Sequence, residues 1–222
     1  MSRPRIALIH ATPLSIAPVA AAFASHWPDA ELANVLDDSL APDRQRAAIA
    51  SATMFARFRM LTDYAVTLGA QGILFTCSAF GREIEAARRG RDIPILNPNE
   101  AMFDLALAAG ARIGLIASFG PSVASLSADF ADAARVSGKA VECVAVHASG
   151  AFESLAQGDG ARHDALVAEA ARHLPAVDAI MLGQFSMARA RAAVASARHG
   201  TLVLTSPEAA VRQLRRRIEG MP

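Results

Sequence analysis

Arg5-Ile6-Ala7-Leu8-Ile9 recurs as Arg112-Ile113-Gly114-Leu115-Ile116, an offset of 107 residues. Each copy is soon followed by a proline and a serine: Pro13-Leu14-Ser15 in the first and Pro121-Ser122 in the second. The same offset carries Gly72-Ile73-Leu74-Phe75-Thr76-Cys77 onto Ala179-Ile180-Met181-Leu182-Gly183-Gln184. One residue further out of step, Leu96-Asn97-Pro98-Asn99-Glu100-Ala101 parallels Leu204-Thr205-Ser206-Pro207-Glu208-Ala209. Apolar strands match one another easily by chance, but matches in order at one spacing mark an internal duplication.

Around these copies, short apolar runs alternate with longer segments of helical periodicity. The runs are Ile6–Ile9, Gly72–Thr76, Ile93–Leu96, Ile113–Ala117, Val141–Val146, Ala179–Leu182 and Leu202–Leu204, with Glu31–Leu36 as a weaker eighth. Runs this short and unbroken suit parallel strands covered on both faces. Intervening stretches such as Asp43–Leu68 and Asp164–Leu174 are long enough for crossover helices. The class is therefore α/β, in two similar lobes, each a short parallel sheet flanked by helices. The lobes are expected to comprise residues 1–97 plus 207–222 and residues 98–206, related by a pseudo-twofold. Ligands of open α/β sheets sit beyond the carboxyl ends of the strands. By symmetry, Cys77 and Gln184 are then expected to approach one ligand from opposite sides, in a site between the lobes.

The bulk numbers narrow the function classes. Hydrophobic residues make up 53% of the chain and charged residues 19%, which describes a compact protein and not a disordered one. A formal net charge of +1 supplies no global field for nucleic acid or anionic lipid. The basic run Arg212–Arg217 contains Leu214 and reads as the polar face of a last helix. No stretch approaches the roughly 18 apolar residues of a spanning helix, and no signal-peptide pattern opens the chain. Two cysteines in unlike contexts, Cys77 and Cys143, make neither a disulfide framework nor a metal knuckle, so a cytoplasmic location is expected.

The duplicated layout, the strand ending in Thr76-Cys77-Ser78-Ala79, and Asn97-Pro98-Asn99-Glu100 opening the next helix resemble the aspartate/glutamate racemase superfamily over nearly the whole chain. That superfamily includes hydantoin racemases, arylmalonate decarboxylases and maleate isomerases. The resemblance implies an isomerase acting beside the carboxylate of a small acid, without cofactor or metal. It implies one cysteine per half: one thiolate removes a proton and the other thiol returns one to the opposite face. Here the first position is Cys77, whereas the second falls on Gln184 in Gly183-Gln184-Phe185-Ser186. A glutamine amide neither gains nor loses a proton near neutral pH. Cys143 does not replace it, because it lies within the Val141–Val146 run and reads as a small buried thiol.

Cys77 is the candidate catalytic thiol. A thiol is mostly protonated at its ordinary pKa, and backbone N–H donors at a strand-to-helix turn, here Ser78-Ala79-Phe80-Gly81, can lower that value. His10 closes the first strand, where family members often carry a polar residue assisting the first catalytic side. It either relays a proton or is a half-buried histidine satisfied by backbone. Ser118 and Ser122, near a strand end and a helix start, are candidate carboxylate anchors or helix caps. Ser78 and Ser186 carry the same two readings, and Gln184 joins them as a substrate-binding residue. His147 also occupies a strand end; His26, His163, His173 and His199 read as surface residues. No His or acidic spacing resembles a metal site.

The expected partner is a small carboxylate substrate, with no nucleic acid and no membrane, and a homo-oligomer stays open. Three chemistries fit a thiol beside a carboxylate. Racemisation needs a proton shuttle opposite Cys77. Decarboxylation with one-sided protonation needs a single thiol, and cis–trans isomerisation of a small dicarboxylate uses the thiolate as nucleophile. A non-catalytic carboxylate-binding protein on the same scaffold is the alternative from another class.

Overall fold

The computed structural model describes residues 3–46 and 51–220. The chain divides into two compact units, Met1–Pro98 with Ala210–Pro222, and Asn99–Ala209. The first contains β1 (Arg5–His10), α1 (Ile16–His26), β2 (Glu31–Leu36), α2 (Leu40–Arg46), α3 (Ala52–Thr67), β3 (Gly72–Phe75), α4 (Gly81–Arg88) and β4 (Ile95–Leu96). The second contains α5 (Glu100–Ala109), β5 (Arg112–Ala117), α6 (Gly120–Val136), β6 (Glu142–His147), α7 (Ala151–Ala156), α8 (Gly160–Arg172), β7 (Ala179–Leu182), α9 (Arg191–Ala197) and β8 (Leu202–Thr205). A last helix, α10 (Ser206–Glu219), starts in the second unit and ends in the first.

Each unit holds a four-stranded, wholly parallel sheet, in the orders β2-β1-β3-β4 and β6-β5-β7-β8. The duplication is visible in the pairing: Ile9 lies opposite Phe75, and Ile116 opposite Leu182. The central strands β3 and β7 are buried at every position, as the unbroken apolar runs require. The edge strands β2 and β6 are half exposed, which is why their sequence signal is weaker or more polar. The Ile93–Leu96 run forms a strand only at Ile95–Leu96. Pro94 has no N–H to donate, although its carbonyl accepts from the Ile73 N–H at 2.9 Å.

Among the described residues, the Asp43–Leu68 stretch forms two helices, α2 and α3; residues 47–50 are not among the described residues. Ser51 caps α3 by accepting the Met54 N–H at 3.2 Å, and α3 buries Met54, Phe58, Thr62 and Ala65 along one face. Phe58 packs on Phe75 and Phe80, with ring centroids 5.3 and 4.9 Å apart. This aromatic group fixes the floor beneath the turn that follows β3. In α10, Leu214 is buried while Arg212, Arg216 and Arg217 are exposed, so the basic run is the outer face of that helix. None of the described helices is long and apolar enough to cross a membrane.

Candidate functional site

Cys77 and Gln184 occupy the same backbone position in their respective units. After β3, the Thr76 N–H extends the ladder by one bond to the Ile9 carbonyl at 3.0 Å; after β7, the Gly183 N–H does so to Ile116 at 2.9 Å. The next residue is extended in both, Cys77 at φ −122° and ψ 120°, Gln184 at φ −119° and ψ 149°. Each then opens a 3-10 turn, Ser78–Phe80 or Phe185–Ala190. Gly183 is closely packed: a Cβ there would sit 2.7 Å from Leu126 Cδ1, so that side chain would have to shift. At the equivalent Thr76 a side chain is present and used.

Cys77 is half-buried and shares with Ile9, His10, Ala11, Leu40, Phe58 and Phe75 a narrow gap with no room for a water molecule. Burial pushes its pKa up, opposed by the Ala79 backbone N–H and the charge of Arg44. The expected amide donor is therefore in place, but it does not lower the pKa overall. Desolvation by the apolar wall outweighs it. Arg44 was not among the sequence candidates. Its Nη2 donates to Glu83 Oε1 at 2.5 Å, and its guanidinium lies over the Phe80 ring at 4.8 Å from the centroid. Glu83 is 1% exposed, on the same α4 face as Ile84 and Ala87. An acid at that spacing among core residues was the available signal, since a buried carboxylate requires a partner.

His10 is fully buried. Its Nε2 lies 3.0 Å from Asn34 Oδ1, which only accepts, so Nε2 carries the hydrogen. Nδ1, left with its one lone pair, lies 3.0 Å from the Ser15 hydroxyl and 2.9 Å from the Thr76 hydroxyl and accepts from one of them. Burial lowers the pKa of the imidazole, against the bond to Asn34, which raises it. The ring is a neutral tie from β1 to the residue before Cys77, with both nitrogens engaged by side chains and not by backbone.

In the second unit Ser118 and Gln184 are joined. The Ser118 N–H donates to Gln184 Oε1 at 2.9 Å and the hydroxyl does so at 3.3 Å, while Gln184 Nε2 is buried without a hydrogen-bond partner among the described residues. His147 Nε2 donates to the Ser118 carbonyl at 3.3 Å. Ser122 lies in the first turn of α6, whose N-cap is Phe119, and its own N–H is satisfied by the Phe119 carbonyl at 2.9 Å. Ser78 and Ser186 follow the capping positions Cys77 and Gln184 and stay half-exposed. None of these three serines occupies the N-cap position, so of the two readings, carboxylate anchor or helix cap, the cap does not apply.

His163 is fully buried, not a surface residue, because it falls on the inward face of α8 with Val167 and Ala171. Its Nδ1 meets Asp164 Oδ1 at 2.8 Å, and Arg189 Nε donates to the same carboxylate at 2.9 Å. That chain fastens α8 to the 3-10 turn after Gln184. Arg189 also crosses Gly160 so closely that a Cβ there would meet its Nη2 at 2.2 Å. Cys143 is half-buried on the edge strand β6, and burial raises its pKa against a bond with Ser127. Among the described residues no group of three His, Cys, Asp or Glu side chains could hold a metal ion.

The family model for Asp/Glu/Hydantoin racemase matches residues 15–214. Among solved structures, the fold is similar to a glutamate racemase of Bacillus anthracis, at TM-score 0.75 and 14% identity over 100% of this chain and 84% of that one. An aspartate racemase of Picrophilus torridus gives TM-score 0.72 and 15% identity, over 97% and 94%. An allantoin racemase of Klebsiella pneumoniae gives TM-score 0.65 and 19% identity, over 96% and 86%. No curated protein matches the chain significantly.

Proposed function

The chain belongs to the Asp/Glu/Hydantoin racemase family, and from that premise we propose a one-thiol, cofactor-independent enzyme acting at the carbon beside the carboxylate of a small acid. Cys77 is its acid/base. As thiolate it takes the proton from that carbon, the electron pair is delocalised into the carboxylate, and the resulting thiol gives a proton back. The observation that carries this reading is the pair of equivalent positions, Cys77 and Gln184, of which only the first can exchange a proton. Gln184 serves instead as a donor: its oxygen is held by Ser118, so Nε2 is the end left for a carboxylate or carbonyl oxygen of the substrate. Ser78, Ser122 and Ser186 supply further hydroxyls, and His10 acts by holding Thr76.

The same substitution favours a second reading, decarboxylation followed by one-sided protonation. That reaction needs a single proton donor, and its substrate carries the second carboxylate that a Gln184 donor would meet.

Incubation with aspartate, glutamate, hydantoins and aryl- or alkylmalonates in heavy water tests both. Solvent deuterium is expected beside the carboxylate with retained configuration, or in a decarboxylated product of one configuration. Cys77→Ala is expected to lower the rate by at least about 10²–10⁴-fold, the usual worth of a positioned acid/base. Rapid inversion of an amino acid by the unmodified protein, or turnover unaffected by Cys77→Ala, would overturn the proposal.

A further inference from the structure

We infer that Arg44, locked against the buried carboxylate of Glu83 and stacked on Phe80, is a positioning residue for Cys77: it clamps α2 to the turn that carries the thiol and fixes a cation beside that turn. The inference rests on Cys77 as the reacting group. Both anchors of the guanidinium belong to the segment that carries Cys77. Phe80, beneath it at 4.8 Å, is fully buried at the end of the 3-10 turn, and Glu83 lies in the first turn of α4. Arg44 itself comes from α2, so one side chain clamps α2 to the Cys77 turn. A planar guanidinium suits this role, because it stacks on an aromatic face while donating from its edge. The Arg44 side chain is 20% exposed and Glu83 1%, so the pair is little screened. Its Nε is buried with no hydrogen-bond partner among the described residues. Glu83 thus leaves part of the guanidinium unsatisfied.

Among the described residues, the other groups lining the space beside the thiol supply no competing charge. His10 on β1 is neutral and engaged at both nitrogens, Phe58 on α3 and Leu40 on α2 are apolar, and the Cys77 turn offers the Ala79 N–H. Burial disfavours the thiolate, and Arg44 opposes it. The sign of each substitution follows. Arg44→Met removes the cation and leaves Glu83, so the thiolate is disfavoured. Glu83→Gln removes the counter-charge and leaves the cation, so the thiolate is favoured.

The readout is the alkylation rate of Cys77 by iodoacetamide as a function of pH, followed by mapping the Cys77 peptide in the full chain. Because no substrate is involved, it separates this inference from the proposed reaction. Near neutral pH, Arg44→Met is expected to slow labelling by about tenfold, the effect of one opposite charge nearby, with the pH limb moved to higher pH. Glu83→Gln is expected to speed labelling several-fold and move the limb to lower pH. The double variant Arg44→Met/Glu83→Gln leaves no uncompensated ion. It is expected to fold and to label more slowly than the native chain, and it decides the matter if Arg44→Met alone does not fold. Single variants that both slow labelling, or both leave it unchanged, would overturn the inference, as would a double variant that labels at the native rate.

Discussion

Gln184 receives Ser118 twice on one atom: Oε1 accepts the Ser118 backbone N–H at 2.9 Å and the Ser118 hydroxyl at 3.3 Å. A carboxamide has one acceptor end and one donor end, so this arrangement commits the acceptor to the scaffold. A thiol at 184 could not satisfy a buried amide in the same way. At the backbone position equivalent to Cys77, the second unit thus carries a hydrogen-bonding side chain whose acceptor end serves Ser118, which is 1% exposed.

The first prediction follows from that dependence. Gln184→Leu removes the acceptor and leaves the Ser118 N–H buried without its partner. The cost is expected to be about 1–3 kcal/mol in urea unfolding. Gln184→Glu keeps an acceptor there and should recover much of the loss. Equal destabilisation by both would show that the Ser118 bond contributes little.

The second concerns His10 and acid. Its pKa is lowered in the fold, so the unfolded chain binds a proton more readily. Stability from the neutral ring is therefore complete above the ordinary value of 6.5 and is lost as pH falls from there toward the folded value. His10→Gln, which cannot take up a proton, is expected to flatten the decline in unfolding free energy over that window while lowering stability throughout. An unchanged slope would mean that other groups carry the acid sensitivity.

The third concerns Cys77 and base. Burial raises the thiol pKa in the fold, so the reactive thiolate gains population as pH rises through the alkaline range. Turnover is expected to climb from neutral into that range, and Cys77 labelling should follow the same limb. A rate already level at neutral pH would place the titrating group elsewhere.

These effects bear on what a sequence reading can reach. The strands β1, β3, β5 and β7 were legible because they are buried on both faces, which writes a continuous apolar run. The 107-residue offset located Gln184 as the counterpart of Cys77 in the duplication, because backbone equivalence needs only local pattern. Contacts across long separations left no such mark. Arg44 and Glu83 are 39 residues apart, and His10 meets Thr76 across 66. The net direction of the thiol pKa is hidden from the sequence for a related reason. The turn that donates the Ala79 N–H can be read from Ser78-Ala79-Phe80-Gly81, but the apolar wall that outweighs it is assembled from β1, α2 and α3. His163 was misplaced because its polar neighbours in sequence hide an inward-facing position on α8.

The last prediction returns a thiol to position 184. The backbone there is already extended as at Cys77, φ −119° and ψ 149° against φ −122° and ψ 120°, and a 3-10 turn follows in both. Cysteine should therefore be accepted without strain at the main chain. Gln184→Cys still loses the acceptor for Ser118, so stability is expected to fall as with Gln184→Leu. In exchange the protein gains a second group able to transfer protons. With an amino acid in heavy water, the outcome is expected to change from deuterium uptake with retained configuration to deuterium uptake with inversion. The inverted product should rise above the native background, and Gln184→Ser, which has similar size but no titrating thiol, should not produce it. The double variant Cys77→Ala/Gln184→Cys should again lose inversion, since a single thiol remains. Continued retention in a folded Gln184→Cys variant whose new thiol can be alkylated would show that position 184 does not address the reacting carbon.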